Sequence, residues 1–131
     1  MADQFDIVDI VYDAVEPVVA GFILYKDCSG DGETKNHITV RMLALSETDV
    51  VNKGLVNINV FVKKQTNGMP YRQLMKGAVR KVKSALRNIT PSFGMYWKSR
   101  IVWSEPLGEA KEGFDCTNIS CLLYTSDAAD E

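Results

Sequence analysis

The most regular stretch of the chain lies at residues 54–63, where Val56, Ile58, Val60 and Val62 alternate with Asn57 and Asn59. A period of two puts the aliphatic side chains on one face of an extended segment and the amides on the other, so a half-buried strand is predicted. Residues 38–46 repeat the pattern, with Ile38, Val40, Met42 and Ala44 alternating with Thr39, Arg41, Leu43 and Leu45. A short connector, Glu47 to Lys53, joins the two. Residues 19–26 are rich in β-forming residues and read as an earlier strand. The polar stretch 27–37 that follows reads as a loop.

Two segments carry the helical period instead. Near the start, Phe5, Val8, Tyr12 and Val15 recur on one face with acids opposite. Asp3 or Asp6 is placed to cap this helix and Pro17 to end it. After an Asn67-Gly68 turn, Pro70 suits the first turn of a second helix running to about Asn88. Leu74, Met75, Ala78, Val82, Ala85, Leu86 and Ile89 form its apolar face, and Thr90-Pro91-Ser92 closes it. Residues 95–104 read as a strand with Trp97, Ile101 and Trp103 on one face. Glu105 to Gly113 reads as a loop, and Phe114 to Ser120 begins a last strand. The order is α-β-β-β-α-β-β, an α+β fold with an antiparallel or mixed sheet and two helices packed on one side.

The 131 residues suffice for one domain with one core. No apolar run approaches the ~20 residues needed to cross a bilayer. The acidic N-terminus lacks a secretory pattern, and the three cysteines have no C-x-x-C spacing. These features point to a soluble protein of a reducing compartment, without a membrane role.

Charge changes the picture more than composition does. The chain holds 15 basic and 17 acidic residues, but they are segregated. Residues 1–50 carry a net −7, residues 51–104 carry +11 with no acid among them, and residues 105–120 carry −3. Such asymmetry suits head-to-tail self-assembly or contact with a polyanion, unless the two signs neutralise each other within the folded monomer. The basic candidates for an interface or a DNA-facing surface are Lys63, Lys64, Arg72, Lys76, Arg80, Lys83 and Arg87. Their complementary acids are Asp6, Asp9, Asp13 and Glu16.

Candidate catalytic chemistry is sparse. The lone histidine, His37, has no sequence-adjacent nucleophile, and no Gly-rich phosphate loop or metal-spaced cluster occurs. Asp27-x-Ser29-x-Asp31-Gly32-Glu33 matches the first half of a calcium loop. Its twelfth position is Ile38, where a bidentate glutamate should stand. No catalytic residue, cofactor or metal site is therefore expected. A small nucleic-acid-binding protein using the basic helix 70–88 is the alternative reading, with Tyr71, Tyr96 and Trp97 available for stacking.

The ordering of segments carries a resemblance. It lies in the acidic helix, the strand Lys53-Gly-Leu-Val-Asn-Ile-Asn-Val-Phe-Val-Lys63, the basic helix, the strand Met95-Tyr-Trp-Lys-Ser-Arg-Ile-Val-Trp103 and the closing Asn118-Ile119-Ser120. Residues 5–120 so ordered resemble the small neck and tail-completion, or tail-terminator-like, proteins of long-tailed bacteriophages, in the form found in Bacteroidales phages and prophages. The resemblance implies a virion protein assembled in the cytoplasm of the bacterial host. It implies a homo-oligomeric ring, commonly a hexamer, at the head–tail junction or tail top, touching tail-tube or head-connector proteins with DNA passing through its lumen. No catalytic residue is implied. Residues 121–131 resemble instead a translated sequencing-adaptor scar of metagenomic origin, which makes 1–120 the expected domain.

Overall fold

The computed structural model describes residues 4–47, 51–89 and 97–126. Helix α1 spans Gln4–Val15 and runs into a 3₁₀ turn at Glu16–Val18, where Pro17 prevents continuation of the α-helix. Strands β1 (Ile23–Lys26), β2 (His37–Glu47) and β3 (Val51–Lys63) follow. Then come helix α2 (Arg72–Arg87) and strands β4 (Trp97–Lys111) and β5 (Phe114–Ser126). The sheet order is β1-β2-β3-β5-β4. β1 pairs in parallel with β2, and every other neighbour is antiparallel, so the sheet is mixed.

The alternation in β3 does what its period predicts. Val56, Ile58, Val60 and Val62 are buried among Ile38 and Val40 of β2 and Ile119, Cys121 and Leu123 of β5. Both helices lie over this face: α1 contributes Ile7, Val8, Ile10, Val11 and Val15, and α2 contributes Ala78, Val82 and Leu86. Gly54 lets α1 approach β3 closely, since a Cβ there would stand 3.0 Å from Ile7 Cδ1 and 2.8 Å from Met42 Cε. Ser99 of β4 donates its hydroxyl to the Leu86 carbonyl, tying the end of α2 to the sheet.

Several boundaries differ from the sequence expectation. The buried face of α1 is Ile7-Val8-Ile10-Val11-Val15, whereas Phe5 is 64% exposed and Tyr12 half-buried. β1 begins only at Ile23, because Gly21, with φ +92°, turns the chain just before it. β2 keeps its alternation up to Met42, then shifts register before Ala44, and Leu43 turns outward.

The largest difference is at 105–111. This segment continues β4, and only Glu112-Gly113 remains as a tight turn, with Gly113 at φ +82°. Pro106 and Gly108 suggest a loop, yet both are in register with β5, opposite Thr117 and Cys116. β4 is one of the two edge strands, where a proline costs no ladder bond on the side facing away from the sheet. Three register shifts bend β4, and one of them, between Ile101 and Trp103, moves Trp103 off the face of Ile101. β5 runs on through Cys121–Ser126, with Cys121 and Leu123 fully buried. Asp3, Thr90-Pro91-Ser92 and Tyr96 lie outside the described residues.

Ile58 sits at the centre of the core with no exposed surface. Ile58→Ala is therefore expected to lower unfolding free energy by about 2–5 kcal/mol, read as a reduced urea midpoint at unchanged m-value.

Candidate assembly interface

α2 is amphipathic in an unusual way, because all its charges have one sign. Arg72, Lys76, Arg80, Lys81 and Arg87 are exposed, Lys83 is half-buried, and no acid occurs within the helix. Arg72, Lys76 and Arg80 are spaced four apart, as are Lys83 and Arg87, so like charges are stacked along one side. Such pairs destabilise a helix by tenths of a kcal/mol each. None of these cations has an ion-pair partner among the described residues.

The acids of α1 are disposed differently. Asp9 is held within the monomer by Lys26 at 2.6 Å, and the same ammonium lies 4.8 Å from the Tyr12 ring centre. The Asp9 carboxylate raises the Lys26 pKa. Asp6 is half-buried, while Asp13 and Glu16 are exposed. Asp13 lines a groove of about 390 Å³ between the end of α1 and the last turn of α2, together with Ile10, Pro17, Ala85 and Ile89. The acidic and basic helices thus share one layer, yet the α2 cations stay unneutralised.

Lys63 and Lys64 part company. Lys63 is exposed, and its backbone N–H donates to Asn36 Oδ1 at 2.7 Å. Lys64 is turned inward and lies 3.4 Å from Asp115 and 3.6 Å from Glu109, tying the end of β3 to the β4–β5 hairpin. Sequence spacing could not find these pairs, because the partners stand some fifty residues downstream and Glu109 reads as a loop residue. Lys35, Lys63 and Lys64 line an open basic pocket of about 710 Å³ with Gln65, Thr66 and Tyr71.

On the helix-free side of the sheet, β3 and β5 carry a polar ladder. Asn118 donates to Asn59 Oδ1 at 2.8 Å and Ser120 to Asn57 Oδ1 at 2.6 Å. Beside it lies an aromatic cluster around His37, which is fully buried. Its ring stacks on Phe61 with centroids 4.6 Å apart and meets Phe114 edge-on at 5.2 Å. Nδ1 lies 2.7 Å from the Lys35 carbonyl; a carbonyl has no proton to give, so Nδ1–H donates. Nε2 then offers its lone pair to Lys111 Nζ at 3.5 Å. Burial lowers the His37 pKa; the Lys35 carbonyl opposes this, while Lys111 adds to it.

The polar loop 27–36 is anchored to this cluster. The Tyr25 hydroxyl donates to Glu33, and Lys111 reaches the Glu33 carbonyl. Glu33 Oε2 also accepts from the amides of Thr34 and Lys35. Ile38, the twelfth position of the calcium-like pattern, points into the core. Among the described residues no three His, Cys, Asp or Glu side chains gather as a metal ion requires. Burial pushes the Cys116 and Cys121 thiols up to about 11, which leaves them protonated at neutral pH, and Cys28 is exposed. No helix among the described residues is long and apolar enough to cross a membrane.

No family model and no curated protein sequence matches the chain. Solved structures do share its fold. One is a chain of the "Virion of native gene transfer agent (GTA) particle", with a TM-score of 0.66 at 11% identity, covering 92% of this chain and 94% of that one. At that identity the likeness is one of fold, and it extends over nearly the whole of both chains.

The chain has a single histidine, so its titration is readable. Because the folded state holds His37 below its ordinary pKa of 6.5, the unfolded chain takes up the proton first as pH falls. Stability is expected to decline as pH drops below about 6.5, and the histidine's contribution to that decline ends once pH lies beneath the folded pKa. Urea unfolding across pH should show this slope in the wild type, and His37→Gln should flatten it.

Proposed function

We propose that this protein is a structural subunit of a bacteriophage-type virion, forming a ring at the head–tail junction or tail top as a tail-terminator, tail-completion or neck protein. The observation that carries this reading is the end-to-end likeness of fold to a chain of a gene transfer agent virion. The segment order of residues 5–120 supports the finer assignment to the neck or tail top. The ring is a homo-oligomer, a hexamer by the same resemblance, that meets tail-tube or head-connector proteins after assembly in the host cytoplasm.

The physics of the surface supports it. In a ring, one face of each subunit docks on a different face of the next. α2 offers an unpaired basic stripe at Arg72, Lys76, Arg80, Lys83 and Arg87, and the exposed acids Asp13 and Glu16 belong to another element. Asp9 and Lys64 contribute less, because each is already held within its own subunit. A stripe that faces the lumen instead of a neighbour would meet the phosphates of passing DNA. That arrangement is the second reading, and the unneutralised charge of α2 is what favours it.

Light-scattering mass and negative-stain images of the concentrated protein should show closed rings. A strictly monomeric protein that also fails to join tail tubes would remove the ring reading. If α2 makes the subunit contact, Arg80→Glu with Arg87→Glu should weaken self-association by roughly tenfold or more, about 1.4 kcal/mol, with the larger effect at low salt. If it faces DNA, those substitutions leave association intact and reduce the salt slope of DNA binding.

A further inference from the structure

A pocket of about 470 Å³ opens between the start of α2 and the β4–β5 hairpin, with Val62, Met69, Tyr71, Met75 and Pro106 among its apolar walls and Asp115 as its acid. The Asp115 side chain is only 15% exposed. Its Oδ1 lies 3.4 Å from Lys64, but its Oδ2 is buried and has no hydrogen-bond partner among the described residues. An orphaned carboxylate oxygen in low-dielectric surroundings is costly, because nothing replaces the water it has lost. Lys64 does not settle the account, since its single ammonium is divided between Asp115 and Glu109. One cation thus serves two carboxylates. Arg72, at the mouth, is exposed and makes no ion pair with Asp115 among the described residues.

We propose that this pocket receives the cationic end of a lysine or arginine from the α2 face of a second copy of this chain. Aliphatic walls suit the stem of such a side chain, which buries its methylenes while its head seeks a carboxylate. Tyr71 is 45% exposed at the mouth, and its ring face is a favourable neighbour for a guanidinium. The same chain supplies the complement. Arg80 and Arg87 are exposed on α2 without ion-pair partners among the described residues, five and twelve residues beyond Met75, the last α2 residue of the pocket wall. Arg80 lies about 7.5 Å along the axis from Met75 and roughly 140° round the helix from it, and among the described residues neither arginine pairs with Asp115, whose ion pair is with Lys64. Pocket and filler on different surfaces of one subunit make a heterologous contact. The choice of a second copy as donor rests on the assembly proposed above, whereas the pocket's taste for a cation rests on Asp115 alone.

Two measurements separate these parts. Agmatine, an alkyl guanidinium, titrated into isotope-labelled protein should shift the amide signals of Val62, Asp115 and Thr117. Asp115→Asn should abolish the shifts, and a neutral alkyl amide of equal length should cause none. Absence of localised shifts, or their persistence in Asp115→Asn, overturns the site whether or not rings form. For the donor, Asp115→Asn and Arg80→Gln with Arg87→Gln should each weaken self-association by roughly tenfold, and their combination should do little more. Fully additive losses, or a wild type that stays monomeric, overturn the second copy as the source of the cation. Thermal melting of Asp115→Asn checks that the fold survives the isosteric change.

Discussion

The period of two along β3 sets the position of everything else, because this strand is the middle one of the five, between β2 and β5. Its even-numbered residues from Val56 to Val62 bury aliphatic surface against the two helices. Its odd-numbered residues pair Asn57 and Asn59 with Ser120 and Asn118, and stack Phe61 on His37. A slip of one residue would drive two amides into the aliphatic layer and expose four β-branched side chains. Register is therefore specified twice, once by exclusion of amides from the core and once by the hydrogen bonds those amides make.

The same strand explains what the sequence made legible. Where residues obey a single local period, as in β3 and in α2 from Ala78 to Leu86, element and buried face follow directly from spacing. The readings that needed changing lie where tertiary position overrides a local signal. Pro106 and Gly108 are loop residues in most contexts, but at the rim of a sheet a strand accepts both. The apolar face of α1 was ambiguous because Phe5 and Tyr12 share the helical spacing of the residues that are buried. His37 stood in a polar run and proved to be the centre of an aromatic cluster, since Phe61 and Phe114 come from strands far along the chain. Of the candidate interface, the basic stripe of α2 was readable from spacing alone. The capture of Lys64 by Glu109 and Asp115 was not, because it depends on the hairpin that brings β4 and β5 together.

Charge distribution gives the molecule two kinds of electrostatics. Ion pairs such as Lys26–Asp9 and Lys64–Asp115 fasten neighbouring segments within one subunit, although Lys64 is shared between two carboxylates. The α2 stripe accepts repulsion between stacked cations and gains no compensating pair among the described residues. A helix chosen for monomer stability alone would alternate signs along that face, at little cost to the core beneath. Holding one sign there gives the helix face a positive potential whose reach depends on ionic strength.

The rim of the sheet also governs how copies of the chain behave when crowded together. One outer strand, β1, is only four residues long, and the other, β4, is bent by three register shifts and interrupted by Pro106. Neither presents the long, flat row of backbone donors and acceptors on which a further strand can be templated. Contacts between copies are thus confined to side-chain surfaces, which can be sampled and released. Crowded copies of the chain therefore lack, at either rim, the template on which fibres grow strand by strand.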